Sequence, residues 1–247
     1  MAGGAAGVRG RLTRSRARPR LEGPERRATE VNVEHESTAA EAWIPAPGWF
    51  LVRHGPTLWN DQARVQGARD EPLTDGARER ALALGRRLRG VPIVAAYTSD
   101  LVRAAETTEL LLRGRSVPVT ADPRLREIDH GIWEGRRVAE LDRLGPLSLW
   151  SRWLGNPVSL TCPKGESFNA AWERVAAFLV AAEEETAGRH DGHVLVVSHL
   201  NPLAILCCLF EGRGPDDVRA FAPEHLTVYT YPRRVRSGNA GSGAQAG

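Results

Sequence analysis

Two histidines in this sequence come shortly after apolar segments that are typical of buried β-strands. Residues 49–52 are followed by Arg53 and His54. Residues 193–197 are followed, after one serine, by His199. Because α/β sheets bind ligands at the carboxyl ends of their strands, we expect the two imidazoles to face each other across one crevice. A lone histidine at such a place is more often structural, so the pair is the signal that favours a functional site.

The residue types near these histidines are those that phosphoryl transfer requires. The reaction depends on positive charge around the phosphate oxygens, an in-line nucleophile and a proton for the leaving alkoxide. Arg53 and Arg103 are suited to bidentate phosphate contacts, and Asn60 and His199 add hydrogen-bond donors. His54 is then the candidate nucleophile, because neighbouring arginines favour a neutral imidazole with a free ring nitrogen.

Glu127 is the candidate acid that protonates the leaving group. A structural interpretation stays open for several of these residues. Arg103 could be an ordinary ion-pairing residue on a helix surface, and Glu127 could cap a helix or pair with Arg126. Thr57 and Asn60 could form the turn after the first strand.

Other polar and aromatic residues also have two open interpretations. Glu166 and Ser167 either contact substrate or cap a helix that begins near Phe168. The following aromatic residues line the pocket or, as we favour, pack in the core or under a lid: Trp133, Trp150, Trp153 and Phe168. We expect no metal site, because His190 and His193 have no acidic or histidine partner at ligand spacing.

The remaining patterning predicts an α/β sheet whose strands alternate with helices. The predicted strands are residues 49–52, 93–97, 117–120 at an edge, 193–197 and 226–231. The predicted helices are residues 73–89, one that follows a cap region at 98–100, residues 168–187 and one that begins near Pro202.

Composition is that of one globular domain with tails, since 42% of the 247 residues are hydrophobic and 26% are charged. We expect residues 1–45 to be a disordered basic tail, 46–233 to be the domain and 234–247 to be a flexible tail. A basic arm for acidic partners, or a transit peptide within the first twenty residues, is the alternative for the N-terminal tail. The net charge of +3 comes largely from this tail and predicts no nucleic-acid partner.

The cysteines and the apolar segments indicate the cellular environment. Cys162, Cys207 and Cys208 have neither a disulfide framework nor a zinc spacing, and the adjacent pair lies in an apolar stretch that predicts a buried helix. No apolar run approaches the roughly 20 residues of a membrane-spanning helix. We therefore expect no membrane partner and a cytoplasmic location.

Six ordered motifs together resemble those of the histidine phosphatase superfamily, the phosphoglycerate mutase-like proteins. The similarity extends from about Phe50 to Tyr231. The similar segments are Leu-Val-Arg-His-Gly-Pro-Thr-Leu-Trp-Asn at 51–60, Gln66-Gly67 with 72–76, then 99–104, 125–135, Gly-Glu-Ser at 165–167 and Val-Ser-His at 197–199.

This resemblance implies an α/β three-layer sandwich with a mostly parallel central sheet and a small cap insertion. It implies that His54 becomes phosphorylated and that Glu127 is the acid that afterwards activates water. The implied phosphate pocket consists of Arg53, Asn60, Arg103 and His199. The further substrate contacts that we expect are Thr57, Gln66, Gly67 and Leu200. No cofactor is implied, the partner is a small phosphorylated substrate, and the protein is expected to be a monomer or a homodimer.

Two departures from the family pattern bear on the reaction. Pro56 stands where an acidic or amide residue is commoner. Leu200-Asn201-Pro202 replaces the usual glycines, a variant similar to that of phosphatases such as the α-ribazole phosphatases. Mutases of the family carry a longer basic segment after the acid motif, which residues 136–153 lack. We therefore expect a phosphatase whose cap at 136–163 selects the substrate. A phosphoglycerate mutase is the alternative, and a non-catalytic phospho-ligand binding module is less favoured.

Overall fold

A six-stranded sheet forms the centre of the protein, of which the computed structural model describes residues 29–30 and 46–233. The strands are β1 (Thr29–Glu30), β2 (Gly48–Arg53), β3 (Ile93–Thr98), β4 (Val119–Ala121), β5 (His193–Ser198) and β6 (Val228–Pro232). Their spatial order is β1-β6-β2-β5-β3-β4. The neighbours among β2, β5, β3 and β4 pair in parallel, and β6 pairs antiparallel with both β2 and β1. The predicted mostly parallel sheet is confirmed.

Helices connect these strands and cover the sheet. The α-helices are α1 (Leu58–Asp61), α2 (Asp75–Arg87), α3 (Val102–Leu111), α4 (Val138–Asp142), α5 (Leu149–Gly155), α6 (Phe168–Glu185) and α7 (Leu200–Glu211). Short 3₁₀ helices occupy Pro123–Leu125, Gly131–Trp133 and Pro215–Ala220.

Two hydrophobic clusters, one on each face of the sheet, produce three layers. Alternate residues of a strand point to opposite faces, so Leu51 packs in one cluster while Phe50 and Val52 pack in the other. The Leu51 side is covered by α6 and α7, and the opposite side by α2 and α3. This arrangement agrees with the predicted α/β sandwich.

The two central strands, β2 and β5, end next to each other in the sheet. Every residue of β5 is buried, and β2 is buried up to Arg53, as expected for strands that helices cover on both faces. In their parallel register Val52 pairs with Val197 and Arg53 pairs with Ser198. The residues that follow the two strands therefore leave the sheet at adjacent positions.

Two helices begin elsewhere than the sequence predicts. The N-cap of α3 is Leu101 rather than a residue of 98–100, and the Val102 N–H donates to the Asp70 carboxylate. The last helix begins at Leu200 rather than near Pro202, because proline in the first helical turn forfeits no intrahelical hydrogen bond. A prolyl residue early in a helix therefore marks its first turn, not its first residue.

The predicted tails lie almost entirely outside the described residues. The exception is Thr29–Glu30, which pairs with Thr230 and Tyr229 as the edge strand β1. At these two residues the structure differs from the expected disorder, because a short backbone pairing needs no hydrophobic pattern of its own.

The segment between the acid motif and α6 folds as a cap around buried aromatic rings. Trp133 and Trp150 meet edge to face with ring centroids 5.4 Å apart. Trp153 contacts Trp133 and Phe168 and is 2% exposed. The favoured interpretation of these residues as packing residues is confirmed.

The adjacent cysteines lie in a buried helix, as the sequence predicts. Cys207 and Cys208 are buried in α7, and Cys162 is buried beneath the cap. Within residues 46–233, no helix combines the length and apolarity that crossing a membrane requires.

Removing the central ring of the cap should destabilise the protein. We expect Trp153→Ala to lower the free energy of unfolding by about 3–5 kcal/mol, because a buried indole leaves a cavity. Leu147→Ala in the same cap is the matched control, since Leu147 is 91% exposed and its truncation should change stability by less than about 0.5 kcal/mol. Denaturant unfolding measures both. Equal effects of the two substitutions would contradict the packing role.

Candidate active site

The two histidines predicted from the strand ends do face each other. His54 follows β2 and His199 follows β5, and their ring centroids are 5.0 Å apart. Both side chains are buried. The parallel register of the two strands is the cause, because it places both residues at the same edge of the sheet.

The hydrogen bonds of His54 determine which of its ring nitrogens is free. Nδ1 lies 2.7 Å from the Gly55 carbonyl oxygen, which only accepts hydrogen bonds, so Nδ1 carries the proton. Burial lowers the pKa of His54 well below its usual value, and the charges of Arg103 and Arg53 lower it further. The ring is therefore neutral at pH 7 and its Nε2 has a free lone pair.

Arg103 is fully buried, which excludes the interpretation as a surface residue. Its Nε donates to His199 Nδ1 at 3.2 Å, and one terminal nitrogen donates to the Gly67 carbonyl at 2.8 Å. The other terminal nitrogen donates to the Arg69 carbonyl at 3.0 Å and to Asp70 Oδ1 at 3.1 Å. Burial lowers the pKa of Arg103, and the nearby Asp70 carboxylate opposes that effect.

His199 is held in the opposite tautomer to His54. Because Nδ1 accepts from Arg103, the ring proton of neutral His199 lies on Nε2, which donates to Ser99 Oγ at 2.9 Å. Burial lowers the pKa of His199 well below its usual value, with a further contribution from Arg103. Both ring nitrogens of His199 are thus bound by protein groups, whereas the lone pair of His54 Nε2 is available.

Two buried N–H donors at this site have no partner within the described residues. They are Arg53 Nε and Gln66 Nε2. Arg53 otherwise donates from one terminal nitrogen to the Pro223 carbonyl at 3.1 Å, and burial lowers its pKa. Buried donors are nearly always paired in proteins, so such orphans are typical of a site that accepts an anionic ligand.

Thr57 and Asn60 do form the turn that the alternative interpretation proposed. Thr57 caps α1, and Asn60 Oδ1 accepts from the Thr57 backbone N–H at 2.9 Å. Thr57 Oγ1 also lies 3.0 Å from Gln66 Oε1. This turn sets the position of Gln66. Leu200 directly follows His199 and is the half-buried first residue of α7.

Glu127 is buried and does not pair with Arg126, which instead binds Asp100. Its Oε1 accepts from the Ile128 backbone at 2.8 Å and from Asn201 Nδ2 at 3.1 Å. Burial lowers the pKa values of Arg53 and Arg103, and the Glu127 carboxylate opposes this effect, so it lies within electrostatic reach of both guanidiniums.

The Gly-Glu-Ser loop, residues 165–167, contacts the backbone at Glu127 through Arg174. Ser167 caps α6, and Glu166 makes a bidentate ion pair with Arg174 at 2.7 and 2.8 Å. Arg174 in turn donates to the backbone carbonyls of Arg126 at 2.7 Å and Glu127 at 3.4 Å. The capping interpretation of Ser167 is confirmed.

Sequence reasoning missed several polar residues that support the site. Glu134 accepts hydrogen bonds from the backbone N–H groups of Ala68, Arg69 and His130 at 2.8 to 3.1 Å. It therefore joins the acid loop, residues 126–130, to the phosphate loop, residues 67–69. Glu134 lies inside the 125–135 motif and Asp70 lies between Gly67 and the 72–76 segment, but only their contacts identify what they bind. Three others carry no sequence signal for their role: Thr107, Asn201 and His225.

Within the part of the chain that the structure describes, no group of three or more His, Cys, Asp or Glu side chains is arranged to hold a metal ion.

Residues 49–236 match the histidine phosphatase superfamily (branch 1), a span that contains both histidines, both arginines and the acid. The chain belongs to this superfamily. Relatives are named both as phosphatases and as mutases, so membership alone leaves the reaction to be argued from the site.

Similar proteins carry both kinds of name. A probable phosphoglycerate mutase of Cronobacter sakazakii is 38% identical over 152 residues, which cover 61% of this chain and 68% of the relative. Phosphoserine phosphatase 1 of Hydrogenobacter thermophilus is 32% identical over 164 residues, covering 66% and 75%. The solved structure of a putative α-ribazole-5′-P phosphatase from Escherichia coli superposes with a TM-score of 0.66 at 28% identity, covering 77% and 97%.

The junction between the phosphate loop and the acid loop has no room for a side chain at Gly67. A Cβ there would lie 2.2 Å from Glu134 Oε1 and 2.5 Å from the Ile128 carbonyl oxygen. We expect Gly67→Ala to displace both loops and reduce turnover of p-nitrophenyl phosphate by about 10²-fold, since small misplacements of reacting groups are costly. Gly76→Ala is the control, because a Cβ there meets nothing within 4 Å. Similar turnover in the two variants would contradict the packing argument.

Proposed function

We propose that this protein is a phosphatase that hydrolyses a small phosphomonoester through a phosphohistidine on His54. The observation that carries the proposal is the state of His54, which is a buried, neutral ring. Its Nδ1 is bound to the Gly55 carbonyl, and no hydrogen bond within residues 46–233 uses Nε2. A neutral imidazole beside two guanidiniums is a nucleophile placed where a phosphate dianion would be held.

In the first step the phosphate lies against Arg53, Arg103 and His199. Gln66 Nε2 and Arg53 Nε donate to it, since both are buried donors without a partner in the described part of the chain. His54 Nε2 attacks phosphorus, the N–P bond forms, and the P–O bond to the leaving group breaks with its electron pair on oxygen. Glu127 supplies the proton that this oxygen needs.

In the second step water replaces the leaving group. The Glu127 carboxylate removes a proton from that water as its oxygen attacks phosphorus. The N–P bond breaks and its electron pair returns to His54 Nε2. Inorganic phosphate leaves, and both residues regain their starting protonation states, so no external cofactor enters the balance.

Relatives and similar structures named as phosphatases support hydrolysis, and relatives named as probable phosphoglycerate mutases make isomerisation the second candidate reaction. Relatives include a phosphoserine phosphatase, and similar structures include an α-ribazole-5′-P phosphatase. The class of substrate that we propose is a small phosphorylated metabolite, and the three free cysteines fit a reducing compartment such as the cytoplasm.

The mechanism predicts different defects for the nucleophile and the acid. We expect His54→Ala to reduce turnover by roughly 10⁴-fold or more and to form no phosphoenzyme. Glu127→Gln should slow phosphoenzyme formation from an alkyl phosphate by about 10²- to 10⁴-fold but slow it much less for p-nitrophenyl phosphate, whose phenolate leaves without a proton.

Rapid-quench labelling measures both steps, and phosphate bound to histidine is acid-labile and base-stable. His190→Ala is the control, since His190 is exposed in a turn and should leave turnover unchanged. Label on a residue other than His54, or near-normal turnover of His54→Ala, would refute the mechanism.

A separate experiment distinguishes the two reactions that this site permits. With a panel of small phosphomonoesters that includes 3-phosphoglycerate, we expect release of inorganic phosphate as the main product. Formation of 2-phosphoglycerate from 3-phosphoglycerate faster than phosphate release would instead identify a mutase. The same phosphohistidine would form in either case, so this outcome leaves the assignment of the nucleophile intact.

A further inference from the structure

A four-residue segment that comes much later in the sequence is hydrogen-bonded to the end of β2. This clamp segment, residues 223–226, makes three hydrogen bonds to two consecutive residues. The Pro223 carbonyl accepts from the Arg53 guanidinium at 3.1 Å, and the Leu226 N–H donates to the Arg53 carbonyl at 3.0 Å. The His225 ring donates from Nδ1 to the His54 carbonyl at 2.6 Å. The clamp segment is thus bound to the backbone of the nucleophile.

The peptide group between His54 and Gly55 is consequently held at both ends. Its carbonyl oxygen accepts from His225, and its N–H donates to Thr107 Oγ1 at 3.0 Å. The Thr107 hydroxyl donates onward to the Arg103 carbonyl at 2.7 Å. Gly55 has no Cβ that would restrict its backbone, so these two contacts determine the orientation of the peptide.

That orientation controls the tautomer of the nucleophile. The acceptor for His54 Nδ1 is the Gly55 carbonyl oxygen, which belongs to the next peptide group. If the peptide between His54 and Gly55 rotates, the Gly55 carbonyl moves away from Nδ1. The imidazole then loses the contact that keeps its proton on Nδ1 and its lone pair on Nε2.

The clamp segment has features of a strained functional element. Leu226 has a left-handed backbone with φ of 56°, which is unfavourable for a residue with a branched side chain. This conformation accompanies the delivery of two adjacent donors, the His225 ring and the Leu226 N–H, to two adjacent carbonyls. The His225 ring also packs edge-on against the His54 ring, with centroids 5.0 Å apart.

Burial keeps His225 neutral, and a neutral imidazole still has one N–H donor. Burial lowers the pKa of His225 to about 4, and the nearby positive charge of Arg53 contributes. In a neutral ring the proton lies on the nitrogen that faces a carbonyl, which here is Nδ1. The hydrogen bond to His54 therefore persists across the neutral pH range.

We propose that His225 is a positioning residue for the nucleophile, which acts through the His54 carbonyl and not on the substrate. This inference rests on the proposed phosphohistidine chemistry. It assigns to a histidine 171 residues away the task of keeping His54 Nε2 unprotonated and aimed at phosphorus. The predicted defect is therefore in the rate of phosphoryl transfer and not in phosphate binding.

Three substitutions separate the Nδ1 donor from the size and burial of the ring. His225→Asn places an amide nitrogen near the position of Nδ1, His225→Gln places it near Nε2, and His225→Ala has no donor. With p-nitrophenyl phosphate we expect kcat to fall about 10- to 100-fold for His225→Gln and His225→Ala, and less than about 3-fold for His225→Asn. KM should change less than about 3-fold in all three, because the phosphate donors Arg53 and Arg103 remain.

The tautomer of His54 gives a second readout that does not need turnover. In protein labelled with ¹⁵N-histidine, we expect wild type and His225→Asn to carry the His54 proton on Nδ1. We expect His225→Gln to populate the Nε2–H tautomer. Wild type with the proton on Nε2, or equal kcat values for the Asn and Gln variants at equal thermal stability, would overturn the inference. If His225→Ala fails to fold, the Asn and Gln pair decides.

The two proposals fail in different ways. Absence of a phosphohistidine in wild type would refute the proposed function, while the His54 tautomer would still test the clamp segment. A phosphohistidine that forms equally fast in wild type and His225→Gln would refute the role of His225 alone.

Discussion

The active site is organised around a guanidinium that is completely buried. Moving a cation out of water costs several kcal/mol unless its N–H groups are paired and a compensating charge lies nearby. Arg103 meets this requirement with two backbone carbonyls of the 67–69 loop, the Asp70 carboxylate and a ring nitrogen of His199. The hydrogen bonds that pair the Arg103 guanidinium therefore hold residues 67–69 against α3 and fix the tautomer of His199.

The same charge defines the chemistry of the nucleophile. Arg103 and Arg53 add to the effect of burial in depressing the pKa of His54, so the imidazole remains neutral and nucleophilic. Arg53 also has a buried Nε that pairs with no group of residues 46–233. A site with two guanidiniums and neutral imidazoles favours a dianion, and a phosphate monoester is the dianion that the proposed reaction requires.

The proposed acid, Glu127, is held by a separate set of interactions. Arg174 binds carbonyls of the acid loop and is itself fixed by Glu166, while Glu134 joins that loop to residues 68 and 69. Asn201 binds the Glu127 carboxylate directly. Hydrogen bonds to backbone groups thus position Glu127 and Arg103, the proposed acid and one proposed phosphate donor.

Several elements of this arrangement were predictable from the sequence because their signals are local. The central strands β2 and β5 have apolar interiors, as expected for strands that are covered on both faces, and a histidine directly follows each of them. Motif spacing singled out Arg53, His54, Arg103, Glu127 and His199, which the structure brings together. What only the tertiary structure decided is which distant groups bind them: Asn201 to Glu127 across 74 residues, and His225 to His54 across 171. Such partners are chosen by the order of strands in the sheet and by the need to pair buried polar groups, and neither leaves a periodic pattern in the chain.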